Sequence, residues 1–147
     1  MLYSDDKKTD RISGVAQLPA VTLPLTNTAK GDNISWHASA TYEVTADTNV
    51  YARVATGYLG PAIQDRVNFF SIPTVAKEQT TISAEGGIKT ALLNRRLRPD
   101  LTGYWWRTDD LQLTAVGCTS NSACLINADH AVGYGIEGEL PRAPPPR

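Results

Sequence analysis

The sequence predicts an all-β fold, an antiparallel meander of about five long strands. Apolar and polar residues alternate over five segments of about ten residues each, and the segments are joined by short and long connections in turn. Side chains on a strand point alternately to opposite faces, so this alternation indicates strands with one apolar and one polar face.

The first two strands follow a long N-terminal segment. Residues 11–33 contain two prolines and scattered Gly, Asn and Asp, and we expect an irregular loop there. From Ile34 every second residue as far as Val44 is apolar or amphipathic, which predicts the first strand. A turn at 45–48 leads to a second strand over 49–58.

The other three strands follow a segment with turn residues at 58–78. The third strand is predicted over 80–93, and the short connection 94–96 leads into a fourth over 97–109 that includes Pro99. A long polar loop at 110–130 precedes the fifth strand, which ends near Leu140.

Composition excludes several classes of protein. The chain has 147 residues, with 14 Lys plus Arg and 15 Asp plus Glu, so its net charge of −1 argues against a nucleic-acid binder. Hydrophobic residues at 41% and charged residues at 20% indicate a globular chain. No apolar run reaches the roughly 18 residues of a membrane-spanning helix.

The order of the connections and the polar face favour a segment of a large transmembrane β-barrel that this chain cannot close alone. Short connections at 44–49 and 93–96 would lie on one side, and the long segments 4–33, 58–78 and 110–130 on the other. The alternative is a soluble all-β binding domain with its apolar faces packed together.

In the barrel interpretation each face has its own set of candidate residues. Polar residues that would face the lumen are His37, Glu43, Arg53, Glu85, Lys89, Arg98, Asp100, Glu137 and Glu139. Aromatic residues that would lie at the lipid interface are Trp36, Tyr42, Trp105 and Tyr134.

Several strings resemble the barrel of TonB-dependent outer-membrane receptors. The stretch SWHASATYEVTADTNVYARVATGYLGPAIQDR at 35–66 is similar to a strand, turn and Tyr-Ala-Arg strand of that family. The strings EGGIK at 85–89, LTAVG at 113–117, LINA at 125–128 and LYSDDK at 2–7 continue the resemblance in order. It covers nearly the whole chain up to about Leu140.

The resemblance implies a role in active uptake across the outer membrane of a scarce ligand, such as a ferric siderophore, cobalamin or an oligosaccharide. Family members have about 22 strands and a lumen plug, and the TonB protein energises the full-length receptor. The implied partners are outer-membrane lipid, the plug and the remaining barrel strands, with no nucleic acid.

This sequence departs from the family pattern, and we expect a fragment that is not transport-competent alone. We see no plug domain, no TonB box and no signal peptide in MLYSDDKKTD at 1–10, and Pro99 interrupts a predicted strand. We expect 1–33 to be the end of a barrel strand plus a long extracellular-type loop, 34–140 a partial barrel, and 141–147 a Pro-rich non-barrel tail.

No catalytic, cofactor or metal site is predicted. Gly133 to Gly138 match G-x-G-x-x-G, but that motif must open a helix, whereas Pro141 follows here, so room beside a plug or a bulky neighbour explains these glycines better. His37 has no second histidine nearby, and Asp5-Asp6 and Asp109-Asp110 resemble solvated loop carboxylates.

The cysteines leave two possibilities open. Cys118 and Cys124 are six positions apart, so a disulfide would close a small loop and stabilise the fold by roughly 2 kcal/mol. Two unpaired thiols are the other possibility.

Overall fold

The protein is described by a computed structural model that covers residues 1–12, 25–64, 74–94, 96–118 and 121–141. The described residues form nine strands: β1 (Leu2–Ile12), β2 (Leu25–Ser35), β3 (His37–Thr45), β4 (Thr48–Leu59), β5 (Ala62–Gln64), β6 (Thr74–Ala76), β7 (Gln79–Thr90), β8 (Asp100–Cys118) and β9 (Asn121–Glu139). They include no helix with the length and apolarity needed to cross a membrane.

The main sheet has five strands in the order β3-β4-β7-β8-β9, and it is antiparallel and open. These are the five strands that the alternation predicts, so the all-β meander is confirmed. Two hairpins, β1-β2 and β5-β6, add a pair of strands each.

The chain divides into two compact units. Unit 1 comprises Met1–Ser35, Tyr58–Thr80 and Thr108–Ala131, and unit 2 comprises Trp36–Gly57, Thr81–Arg107 and Val132–Arg147. The buried side chains of the described residues all belong to unit 1 and include Ala29, Ala76 and Thr108.

The pairing of β3 with β4 in unit 2 shows how the faces arise. Ala40 pairs with Ala52 and Thr41 with Tyr51, so apolar residues lie beside apolar ones and polar beside polar. A register shift between Glu43 and Thr45 closes the hairpin through a tight turn at 46–47. We call the side with Ala40 and Ala52 the apolar face, and the other the polar face.

The apolar face of unit 2 is not packed into a core. Trp36 is 43% exposed, Ile88 40% and Leu101 53%, and Ala40 is also exposed. The alternative of a soluble domain requires these residues to be buried together, so the packed-face arrangement is wrong for the described structure.

Two predicted loops contain strands. In the predicted irregular loop 11–33, residues 25–33 belong to β2, which pairs with β1 over eleven consecutive residue pairs, and 13–24 lie outside the described residues. In the predicted loop 110–130, β8 continues to Cys118 and β9 begins at Asn121. Residues 25–33 are polar on nearly all positions of both faces, so hydrophobic alternation gives no signal there. In 110–118, Leu111, Leu113 and Ala115 do alternate with polar residues, and the predicted loop overlooks this continuation of the strand.

Two strand boundaries also differ from the prediction. The first predicted strand is divided at Trp36, whose backbone N–H donates to Thr56 Oγ1 at 2.9 Å rather than to a ladder carbonyl. The fourth begins at Asp100, so Pro99 precedes the strand instead of interrupting it, and its carbonyl still accepts from Thr90 N–H at 3.1 Å.

Candidate functional site

The polar face of unit 2 is the candidate site, because it gathers charged residues from all five strands of the main sheet. Along each of β4, β7 and β8, every second side chain points to this face. The cross-strand contacts confirm that residues of the three strands share it, and they involve Tyr51, Arg53, Glu85, Lys89, Asp100 and Thr102.

Two ion pairs link neighbouring strands on the polar face. Arg53 Nη1 lies 3.8 Å from Glu85 Oε1, and both side chains are about half exposed. Lys89 Nζ lies 3.0 Å from Asp100 Oδ2, and the Asp100 side chain is 23% exposed. Exposed pairs of this kind stabilise a fold by about 0–1 kcal/mol each, so they fix the positions of the side chains more than they hold the sheet together.

Tyr51 reaches across a whole strand on this face. Its ring lies over Gly87 of β7, and its hydroxyl is 2.7 Å from Thr102 Oγ1 of β8. Lys89 Nζ is 5.2 Å from the centre of the Tyr51 ring, within cation–π range. A Cβ at Gly87 would lie 2.7 Å from Tyr51 Cε1 and 2.7 Å from the Leu101 carbonyl oxygen, so this position has no room for a side chain.

The same arrangement occurs twice more between β8 and β9. A Cβ at Gly135 would lie 2.6 Å from the Tyr104 hydroxyl oxygen, and a Cβ at Gly133 would overlap the indole of Trp106. The glycines of the G-x-G-x-x-G string are therefore strand residues that lie beneath large aromatic side chains. We call these three arrangements, including Tyr51 with Gly87, the glycine–aromatic pairs.

A mixed-charge cavity of about 360 Å³ opens in unit 2 beside the β3–β4 turn. Its charged lining residues are Asp47, Lys89, Arg98, Asp100 and Glu139. Both signs of charge and the open side suit a polar protein surface better than a small apolar ligand.

The other predicted lumen residues do not join the ion pairs. His37 and Glu43 are exposed on β3, opposite Ala55 and Asn49, and Glu137 is exposed on β9. Arg98 donates its backbone N–H to the Pro141 carbonyl at 3.1 Å. No salt bridge joins the side chains of these four residues to other described residues, and their lumen-facing role stays a prediction.

The four predicted interface aromatics all lie in unit 2 and are all exposed. Exposure is 43% for Trp36, 70% for Tyr42, 39% for Trp105 and 80% for Tyr134. Trp105 and Trp106 are consecutive, so they lie on opposite faces of β8. Contact of the four aromatics with lipid stays a prediction.

Unit 1 contains a polar network that the sequence did not reveal. Asn127 accepts the Lys77 N–H at 2.8 Å and donates to the Lys77 carbonyl at 3.2 Å, as a paired strand would. The Gln112 amide donates to the carbonyls of Gly60, at 2.9 Å, and of Lys77, at 2.8 Å. These side chains satisfy backbone groups of irregular segments. Single amides in a polar stretch carry no sequence signal for such a role.

The remaining candidates are dispersed. Cys124 is buried and takes part in a disulfide, but the Cys118 side chain lies outside the described set, so their mutual pairing stays a prediction. His130 lies 3.1 Å from Asp129, whereas His37 is on β3 in the other unit. Within the described ranges no cluster of three or more His, Cys, Asp or Glu side chains could hold a metal ion. This includes the surroundings of Asp5-Asp6 and Asp109-Asp110.

A family model described as "TonB dependent receptor-like, beta-barrel" matches residues 3–142. The crystal structure of the ferric yersiniabactin uptake receptor FyuA from Yersinia pestis is similar in fold, with a TM-score of 0.69 and 22% sequence identity. The alignment covers 94% of this chain and 20% of that receptor, so the chain spans about a fifth of its length. No curated protein sequence matches the chain.

Proposed function

Because the chain belongs to the TonB-dependent receptor β-barrel family, we propose that it forms part of the barrel wall of an outer-membrane uptake receptor. The receptor would import a scarce ligand, such as a ferric siderophore, cobalamin or an oligosaccharide. No catalytic step is proposed, because the family is one of transporters.

The observation that supports this proposal is the exposed apolar face of unit 2. The apolar face leaves Trp105, Ile88 and Leu101 at least 39% exposed. A groove on this face is lined mainly by small, aliphatic and aromatic residues, among them Ala52, Val54, Ala84, Trp105, Tyr134 and Ile136. A continuous apolar face with large exposed side chains is unfavourable in water and favourable against the hydrocarbon chains of a membrane. The outer membrane is therefore the proposed location, with lipid against this face.

The polar face would line the lumen. Its two ion pairs and the Tyr51–Thr102 hydrogen bond keep the charged side chains ordered. The mixed-charge cavity beside the β3–β4 turn would contact the plug, since it offers both cations and carboxylates to a polar protein surface. The TonB complex would act on the full-length receptor.

The open sheet leads to a second part of the proposal. Among the residues that the structure describes, β3 and β9 each have a single neighbour in the five-stranded sheet, so each has one side without a strand partner there. Hydrocarbon does not tolerate such edges, and further barrel strands would have to pair with them. The 147-residue chain by itself encloses no lumen, and we expect no transport from it alone.

Adjacent tryptophans provide a test of which face meets lipid. The 147-residue chain would be bound to the surface of phosphatidylcholine vesicles, where the apolar face can contact acyl chains without a closed barrel. Two single-tryptophan variants would be used, W36F/W106F to report Trp105 and W36F/W105F to report Trp106. Brominated acyl chains quench tryptophan on contact. We expect strong quenching of Trp105 and little of Trp106, because the two lie on opposite faces of β8.

The unbrominated vesicles are the control for each variant. Equal quenching of the two tryptophans, or no quenching of Trp105 in vesicles that retain the protein, would refute the proposed assignment of faces.

A further inference from the structure

Two aromatic side chains of β8 lie flat on the polar face of unit 2. At Gly133, a Cβ would meet Cε2 of the Trp106 indole most closely, followed by its bonded neighbours Cζ2 and Nε1. An approach in the plane of the indole would meet those two neighbours first, so Gly133 lies beneath the face of the ring. At Gly135, a Cβ would lie 2.6 Å from the Tyr104 hydroxyl oxygen, 2.8 Å from Cζ and 3.1 Å from Cε1, so it also meets the ring face. We call Tyr104 and Trp106 the aromatic platform.

The second face of each platform ring is directed away from the sheet. Tyr104 and Trp106 are both half-buried, as expected when the sheet covers one side of each ring. They are two residues apart on one strand, so they lie side by side at a spacing of about 7 Å. The face of an aromatic ring carries partial negative charge and attracts weakly positive C–H groups. The apolar face of a pyranose ring presents such C–H groups, and neighbouring sugars in a chain repeat on a similar length scale.

The Arg53–Glu85 ion pair lies in the same cross-strand row as Tyr104. The hydrogen bond between Tyr51 and Thr102 crosses β7 and aligns one row of the polar face. Because neighbouring strands of this sheet are antiparallel, the next row on the face holds Arg53, Glu85 and Tyr104. Carboxylate and guanidinium groups can each form two hydrogen bonds, which suits adjacent hydroxyl groups of a sugar.

Charge favours a neutral ligand over an anionic one. Among the predicted lumen residues carboxylates outnumber cations, and the cations Arg53 and Lys89 are already paired with carboxylates. An anionic aromatic ligand would therefore meet like charge on this face, although it could also stack on the rings. A neutral polyhydroxylated ligand avoids that repulsion and uses both kinds of group.

We propose that the aromatic platform binds the pyranose rings of a neutral oligosaccharide, and that Arg53 and Glu85 hydrogen-bond to its hydroxyl groups. The inference rests on the proposed function for the lumen position of the polar face, and it names the class of ligand. The glycines beneath Tyr104 and Trp106 fix both rings before the ligand arrives, so little side-chain freedom is lost on binding.

Trp106 emission measures binding in the full 147-residue chain refolded in phosphocholine detergent micelles. The W36F/W105F variant, with Trp106 as its single tryptophan, would be titrated with cellohexaose, maltohexaose, xylohexaose and chitohexaose. We expect a saturable change in Trp106 emission with at least one of them. The W36F/W106F variant should show no change, because Trp105 lies on the opposite face of β8.

Substitutions in the W36F/W105F background test the platform itself. We expect Y104A to raise Kd about tenfold or more through the loss of one stacking surface, whereas Y104F keeps the ring face and should change Kd less than about threefold. Y134A is the matched control, since Tyr134 is 80% exposed on the other face of β9, and it should change Kd less than about twofold. Circular dichroism verifies that each variant retains its β structure.

Four results would overturn the proposal. They are no saturable change of Trp106 emission with any of the hexasaccharides, equal Kd values with and without Y104A, an equal loss of binding in Y134A, and tighter binding of dihydroxybenzoate than of every hexasaccharide. These results would leave the assignment of faces standing. Equal quenching of Trp105 and Trp106 by brominated lipid would instead refute the assignment of faces.

Discussion

We expect the replacement of Gly87 by alanine to destabilise the fold, because this position has no room for a side chain. In G87A the new Cβ would lie 2.7 Å from both Tyr51 Cε1 and the Leu101 carbonyl oxygen. The clash with the carbonyl requires a shift of the strand backbone, and the clash with Tyr51 is relieved when its ring moves. When that ring moves, the 2.7 Å hydrogen bond to Thr102 and the contact with Lys89 are lost.

The magnitude follows from these three effects. Overpacking costs roughly 1–3 kcal/mol, a hydrogen bond of this kind contributes about 1 kcal/mol, and an exposed cation–π contact about 0.5–1 kcal/mol. Because the effects overlap when the ring moves, we expect G87A to lower the free energy of unfolding by roughly 2–4 kcal/mol.

Urea titration of the refolded chain, followed by tryptophan emission, measures this change. G103A is the matched control, since a Cβ there meets only the Gly86 carbonyl oxygen at 4.0 Å, and we expect no loss of stability. A smaller cost of G87A in a Y51A background would show that the ring causes the effect. If G87A and G103A unfold at the same urea concentration, the assignment of a glycine–aromatic pair at Gly87 is wrong.

Three further predictions concern other contacts. N127A removes both bonds to the Lys77 backbone, and we expect about 1–3 kcal/mol of destabilisation with faster amide exchange at 74–79; exchange no faster than in the unmodified chain would contradict this role. D100N breaks the 3.0 Å ion pair with Lys89, and we expect the free energy of unfolding to fall by at most about 1 kcal/mol, with a smaller effect at high salt. A larger decrease that does not depend on salt in the urea titration would contradict a surface ion pair. Reduction of the predicted Cys118–Cys124 disulfide should lower stability by roughly 2 kcal/mol, measured by urea titration with and without a reductant, and C118S/C124S should be insensitive to reductant.

Alternation predicted the strands of unit 2 because one of their faces is apolar. It gave the face of each residue on β4 and β7, including Arg53 and Glu85, which the structure then joins in an ion pair. It could not predict register, since a one-strand pattern does not say which residue lies opposite which. The passage of Tyr51 over Gly87 depends on that register.

In unit 1, β2 and the outer part of β8 lie in segments that the sequence predicts as loops. β2 at 25–33 is polar on nearly all positions of both faces, and its backbone pairing with β1 is satisfied without an apolar stripe. β8 beyond Asp109 does have alternating apolar residues at Leu111, Leu113 and Ala115, but the polar residues and glycines that follow them resemble a loop. The alternation predicts Pro99 inside a strand, because Leu97 and Leu101 continue the apolar positions on either side of it. The Asn127 side-chain amide hydrogen-bonds to the backbone of Lys77, 50 residues away. Such a contact depends only on the tertiary structure, so the sequence does not predict it.

The glycine–aromatic pairs impose a rule on how this sequence can change over generations. A side chain at Gly133 collides with the Trp106 indole, and one at Gly135 collides with the Tyr104 hydroxyl. A single replacement at either glycine is therefore harmful until its aromatic neighbour becomes small. Related sequences should therefore keep both residues of each glycine–aromatic pair or replace both, so we expect substitutions at the two positions to covary.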